Sequence, residues 1–175
     1  MSPRGPDSDT VPTFEPPGAR CPAASSSEIR GHMPDIRHSI EIAAPPEALF
    51  RLVSAAWGLS QWWAEDIRSG DKGAVELGFF NRSTTYRLHP EGMVPGRSAV
   101  WRCDSGKEWM GTRIVFALEQ ANSGTLLRFE HAAWREITDY FVSCNTTWGG
   151  LLFRLKAVAE GKNPGPLFTN GGIAS

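Results

Sequence analysis

The stretch from Glu136 to Glu160, EITDYFVSCNTTWGGLLFRLKAVAE, constrains this chain more than any other. Ile137, Phe141, Cys144, Trp148, Leu151, Leu155 and Val158 recur at spacings of three and four, one face of a long helix. Tyr140 and Leu152 widen the stripe, so the face needs a broad apolar partner. Gly149 and Gly150 interrupt it, each at roughly 1 kcal/mol of helix propensity relative to Ala. A pair of glycines here calls for close approach to a sheet or to a bound molecule. One long helix laid across a curved antiparallel sheet can enclose a cavity between the two layers.

The sequence before this helix supplies the sheet. Ile36, His38, Ile40 and Ile42 alternate with Arg37, Ser39 and Glu41, as in a half-buried strand. Ala43-Ala44-Pro45-Pro46-Glu47 opens a helix, with proline in the first turn and an acid at the positive end of the dipole. Leu49, Phe50, Val53 and Trp57 form its expected buried face, and Gly58 is placed to end it. Leu59 to Ala64 reads as a second short helix. Five strands follow, carrying Val75-Leu77-Phe79, Tyr86-Leu88, Ala99-Trp101-Cys103, Thr112-Ile114-Phe116-Leu118 and Thr125-Leu127-Phe129-His131 as alternating sets. Pro90 to Gly96 reads as a loop between two of them. Strands joined by tight turns make an antiparallel meander. The fold class is therefore α+β, with the sheet curved around the long C-terminal helix and two short helices after the first strand.

Residues 1–33 hold six prolines and a serine run, with Val11 and Phe14 as the large apolar residues before Ile29. Such a segment cannot bury enough to offset its ordering entropy, and it reads as a disordered tail. Met33 stands just before the first strand and is a candidate start. The folded domain spans 34–162, and 163–175, with Pro164, Pro166, Gly171 and Gly172, reads as a loose tail.

Net charge is -1 and the arginines form no run, which leaves no basic field for nucleic acid. No stretch approaches the ~18 apolar residues of a membrane helix. The polar N-terminus has no apolar core of the secretory kind. Cys21, Cys103 and Cys144 lie far apart without CxxC, as reduced thiols of a cytoplasmic protein do. No Walker loop, GxGxxG or GxSxG is present, and the histidines lack ligand spacing, so neither cofactor nor metal is expected.

Seven tryptophans is a high count, and indoles suit both cores and pockets. The expected ligand-binding set is Trp62, Trp63, Phe79, Tyr86, Trp101, Glu108, Trp109, Phe129, His131, Asn145, Trp148 and Gly149. His131 shares a face with Leu127 and Phe129, so its imidazole needs a partner, either backbone or Trp within the core or a ligand. Glu108 beside Trp109 is either a desolvated acid or an exposed edge charge. Asn145, one step off the apolar stripe, either meets a polar group in the cavity or faces water.

The patterns APPEALF at 44–50, GLSQWW at 58–63, EWMGTRIVF at 108–116, GTLLRFEHAAW at 124–134 and CNTTWGGLLFRLK at 144–156 resemble the bacterial AHSA-type branch of the START-like (SRPBCC) superfamily. That branch takes its name from homology to an activator of a heat-shock-protein ATPase. The resemblance covers about residues 36 to 162. It implies the helix-grip fold and binding of a small apolar or amphipathic molecule between sheet and helix. It also implies two alternatives: a co-chaperone-like protein-interaction module linked to stress response, and a cyclase or hydrolase using the same cavity. A monomer or a homodimer fits. Where the family commonly has His-x-Gly-Trp, this chain has His131-Ala132-Ala133-Trp134.

Overall fold

The computed structural model describes residues 33–174; the expected tail at 1–33 lies, but for Met33, outside the described residues. β1 (Ile36–Ile42) is followed by α1 (Pro46–Val53), α2 (Ala56–Ser60), β2 (Asp66–Ser69), β3 (Val75–Phe79), β4 (Thr84–Val94), β5 (Ser98–Cys103), β6 (Arg113–Ala121), β7 (Gly124–Ala132) and α3 (Asp139–Ala159). The first seven strands form one antiparallel sheet in the order β1-β7-β6-β5-β4-β3-β2. Apart from the N-terminal strand β1, which closes onto β7, and the short β2 at the far edge, this is a meander. It is the helix-grip fold, with α3 packed on β1 and α1.

The alternation read from the sequence sets which side chains face inward. Ala99, Trp101, Ile114, Phe116, Leu127 and Phe129 are all buried. Register brings Trp101 opposite Ile114, Ile114 opposite His131, and His131 opposite Ile36. One inward row therefore crosses four strands and carries a histidine among apolar neighbours.

Five local readings are corrected. Trp57 is 67% exposed instead of lying on the buried face of α1. The chain breaks after Val53, and α2 restarts at Ala56, so Trp57 belongs to a new helix with its own phase. Gly58 does not end α1 but sits inside α2, which begins and ends earlier than the helix expected at 59–64. A Cβ on Gly58 would lie 2.1 Å from the Arg51 carbonyl oxygen and 2.7 Å from Leu52 Cα. The glycine serves close helix packing, a need that no local pattern announces. The Pro90–Gly96 loop is instead part of β4, which runs on to Val94 through a bulge between Pro90 and Gly92. A bulge is where a strand accepts proline.

The fourth concerns the chain end. Residues 163–174 are fastened down and include a small hairpin, β8 (Phe168–Thr169) and β9 (Gly172–Ile173). The Leu167 and Phe168 N–H groups donate to the Trp62 and Trp63 carbonyls, and the Glu65 N–H donates to the Phe168 carbonyl. Arg154 of α3 donates to the carbonyls of Pro164 and Gly165 at 2.9 and 3.0 Å and to that of Ala174 at 3.0 Å. One guanidinium fork thus satisfies backbone groups on both sides of the hairpin. Composition signals a break in regular structure here, and the side chain that ties the segment down lies on another element.

α3 starts later than the apolar period implies. Thr138 is its cap, accepting from the Phe141 N–H at 3.1 Å, which leaves Ile137 outside the helix and 70% exposed. Cys144, Trp148, Leu151, Leu152 and Leu155 are its buried face. The turn that enters it holds Ala133 at φ 65°, in the left-handed region, with its N–H donating to Asp35 Oδ1 at 3.0 Å. Ala133 holds this conformation without the freedom that a glycine would bring, at the cost the left-handed region imposes on a residue with a Cβ.

Candidate functional site, an aromatic-walled cavity

His131 organises the interior beside the site. It is fully buried and accepts at Nδ1 from the Trp148 indole N–H at 3.1 Å. An indole can only donate, so Nδ1 is unprotonated and Nε2 carries the hydrogen. Nε2 donates to Thr112 Oγ1 at 2.9 Å, and that hydroxyl donates to the Trp109 carbonyl at 2.6 Å. Burial pushes the imidazole down to about 3, so it is neutral at physiological pH. This chain of three hydrogen bonds joins α3 to the turn between β5 and β6. It fixes Trp148 and the backbone of Trp109, two walls of the neighbouring space.

That space is a cavity of about 290 Å³ between β3, β4, the first half of α3 and the C-terminal hairpin. It lies at the lower edge of the ~300–1,000 Å³ of small-molecule sites. Tyr86 stacks on Trp109 with centroids 4.2 Å apart, and Trp63 meets Trp148 at 4.8 Å. Phe79 of β3 meets Phe168 of the hairpin edge to face at 4.9 Å. The exposed lining residues are Phe80, Tyr140, Ser143 and Ile173, so the mouth lies there. Phe80 begins a turn in which Phe80, Asn81 and Arg82 all have positive φ. That turn is held by Arg82, which pairs with Asp66 at 2.8 Å and with Glu76. Backbone strain of this kind concentrates at functional sites.

Among the described residues, no Asp, Glu, Lys, Arg or His lines the cavity. The Tyr86 and Tyr140 hydroxyls lie 2.5 Å apart and bond to each other. Burial, above all, raises the phenols of Tyr86 and Tyr140 and the thiol of Cys144. The wall is therefore uncharged at neutral pH, apolar over most of its area, and marked by a few hydroxyls.

Of the residues expected from the sequence, Trp63, Phe79, Tyr86, Trp109 and Trp148 come together on this wall. Trp62, Trp101 and Phe129 are packed in the core and do not line it. His131 supports the wall from behind. Glu108 is half-buried and accepts from the Thr138 hydroxyl at 2.6 Å, so it braces the cap of α3. Asn145 is exposed, and a Cβ on Gly149 or Gly150 would meet nothing within 4 Å, so neither glycine marks an approach to the sheet. Tyr140, Cys144, Thr147 and Phe168 are further lining residues that the sequence reading did not name as such. The first three lie on the period of Trp148 and Leu151 along α3, a signal present in the sequence. Phe168 enters from the segment that reads as a loose tail, and nothing local assigns it.

The residues place no three of His, Cys, Asp and Glu together as a metal cluster, among those described. No described helix is long and apolar enough to cross a membrane.

A seven-stranded antiparallel sheet gripping one long helix, with a cavity between them, defines a START-like protein. The solution structure of the Aha1 dimer from Colwellia psychrerythraea is 32% identical, covers 73% of this chain and 97% of its own, and superposes with a TM-score of 0.66. The chain belongs to this AHSA-type family. The AHSA1-like protein of Rhizobium etli, at 24% identity and a TM-score of 0.57, covers 78% of this chain and 89% of its own. The AHSA1-like protein of Aeromonas hydrophila, at 15% identity and 0.56, covers 72% and 92%. These two share the fold. No protein-family model matches the sequence, and no curated protein matches it significantly.

Proposed function

We propose that this protein binds a small hydrophobic or amphipathic molecule in the cavity between the sheet and α3. The observation that carries the reading is the wall itself: a built ring of aromatic side chains with scattered hydroxyls and no charge, open at one side. Such a lining removes apolar surface from water and orients it with a few polar contacts. An acid–base enzyme needs two titratable groups converging on the reacting atoms, and the groups lining this cavity stay neutral near pH 7.

The test uses the neutral fluorescent probe N-phenyl-1-naphthylamine with the full chain and with Thr147→Trp, which fills the cavity from α3. The wild type binds the probe with micromolar affinity, and the variant binds at least about tenfold more weakly with its melting temperature preserved. Equal binding by both, or none by the wild type, sinks the reading. Native mass spectrometry of the freshly purified protein would add the mass of any co-purified molecule. For the assembly, the dimeric Colwellia relative favours a homodimer. Light scattering at twice the 19.2 kDa of one chain would agree with it.

A further inference from the structure

We propose that the ligand of this cavity is an uncharged, compact ring system bearing one hydrogen-bonding oxygen, which the Tyr86 and Tyr140 hydroxyl pair reads. This rests on the cavity-binding reading above and narrows it by size, shape, charge and polarity.

Size excludes a long extended chain, because the cavity holds about 290 Å³. Shape comes from the walls. Tyr86 and Trp109 lie within 23° of parallel, and Trp109 and Trp148 within 20°. Trp63 and Phe168 meet their neighbours at 62° and 87°. Near-parallel faces with edges set across them accept a flat ring in offset-stacked and edge-on contacts. A flexible chain would lose rotamer freedom to occupy the same space.

Charge is decided by what the wall lacks. An ion entering the cavity would give up its hydration and meet no counter-charge, which costs more than the ring contacts return.

Polarity is decided by the tyrosine pair. The two phenols own two O–H groups, and the 2.5 Å bond between them consumes one as donor. The other remains to donate to an oxygen of the ligand. Both hydroxyls sit on fixed supports. The Tyr86 ring lies between Trp109 and the backbone of Gly106, where an added Cβ would come within 2.4 Å of Tyr86 Cε1. Gly106 has φ 83°, so glycine is required there twice over. Tyr140 stands in the first turn of α3, whose cap Thr138 is braced by Glu108 in the same turn as Trp109. A donor held in place before the ligand arrives loses little freedom on binding.

The experiment titrates the full-length protein at pH 7 with four probes, followed by calorimetry and by quenching of tryptophan fluorescence. 2-Naphthol carries ring and hydroxyl, naphthalene the ring alone, 2-naphthoate the ring and a charge, and octan-1-ol the hydroxyl on a flexible chain. 2-Naphthol binds about tenfold or more tightly than each of the other three, the scale of one well-made buried hydrogen bond. The double variant Tyr86→Phe, Tyr140→Phe, with an unchanged melting temperature, loses the preference for 2-naphthol over naphthalene while naphthalene affinity holds. If 2-naphthoate or octan-1-ol equals 2-naphthol, or if the double variant keeps the preference, the ligand class is wrong while the cavity remains a binding site. The ligand class is equally wrong if N-phenyl-1-naphthylamine binds and 2-naphthol does not. If no probe binds, N-phenyl-1-naphthylamine included, the cavity reading falls and this proposal with it.

Discussion

Trp62 and Trp63 are neighbours in sequence and stack on each other at 5.5 Å, yet they belong to two different halves of the interior. Trp62 points into the closed half. Its N–H donates to the Leu52 carbonyl at 3.0 Å, and Trp101 donates to the Val53 carbonyl at 2.8 Å. These are the last two carbonyls of α1, which no glycine cap satisfies. The two indoles cap that helix from outside it while filling the core around Phe116. Trp63 points into the open half, where Trp148, Trp109 and Tyr86 leave space among them. In the closed half these large rings are packed and their donors are spent on backbone. In the open half rings face a gap, and hydroxyls bond one another. What separates a core tryptophan from a pocket tryptophan is the acceptor it finds and the volume left beside it, and the residue type carries neither.

The largest effect expected from this contrast is on stability in the closed half. Trp62→Ala should cost roughly 3–5 kcal/mol by urea denaturation, because it leaves a cavity. It also leaves the Leu52 carbonyl without its donor. Tyr86→Phe in the open half should stay within about 1 kcal/mol, since it removes one hydroxyl without removing packing. Losses of similar size at the two positions would erase the distinction.

Second in size is an acid effect at the seam between the halves. In the folded chain His131 stays neutral down to about pH 3, whereas in the unfolded chain it takes up a proton near its ordinary value of 6.5. The unfolded state therefore binds more protons between these limits, and stability from this residue falls as pH drops from 6.5 toward 3. The slope is roughly 1.4 kcal/mol per pH unit within that window. Denaturation at pH 7, 6 and 5 should show it in the wild type and lose it in His131→Gln. A wild-type and variant difference that does not vary with pH would mean that the imidazole titrates alike in both states.

The smallest effect bounds the cavity along α3. Gly149→Ala and Gly150→Ala add a methyl group that meets nothing, so each should raise stability by up to about 1 kcal/mol through helix propensity. Affinity for N-phenyl-1-naphthylamine should not change. A weaker probe affinity in Gly149→Ala would extend the cavity beyond Trp148 and Leu151 and shrink the closed half accordingly.

Most of the fold is legible in the sequence. The period of Phe141, Cys144, Trp148, Leu151 and Leu155 assigns α3 and its buried face, and alternation assigns β1, β3 and β5 to β7 with their inward residues. These signals are local: burial of one face forces a repeat of 3.6 or 2 on the chain. The site is legible in part. Trp63, Phe79, Tyr86, Trp109 and Trp148 stand out as large rings on inward faces, but Trp62, Trp101 and Phe129 stand out in the same way and pack in the core. Glu108 and Asn145, ambiguous in sequence, are a brace for the α3 cap and an exposed residue.

The amino-acid order alone determined the class of fold, the inward face of each long element, the placement of His131 among apolar residues and the family to which the chain belongs. Tertiary structure decided the rest. It chose Trp148 and Thr112 as the partners of His131, closed the cavity with Phe168 from a segment of loop-like composition, and set Gly58 against the backbone of α1. Each of these joins residues distant in sequence or depends on how two backbones meet. Periodicity records which way a side chain faces, whereas contact and empty space depend on what arrives opposite it.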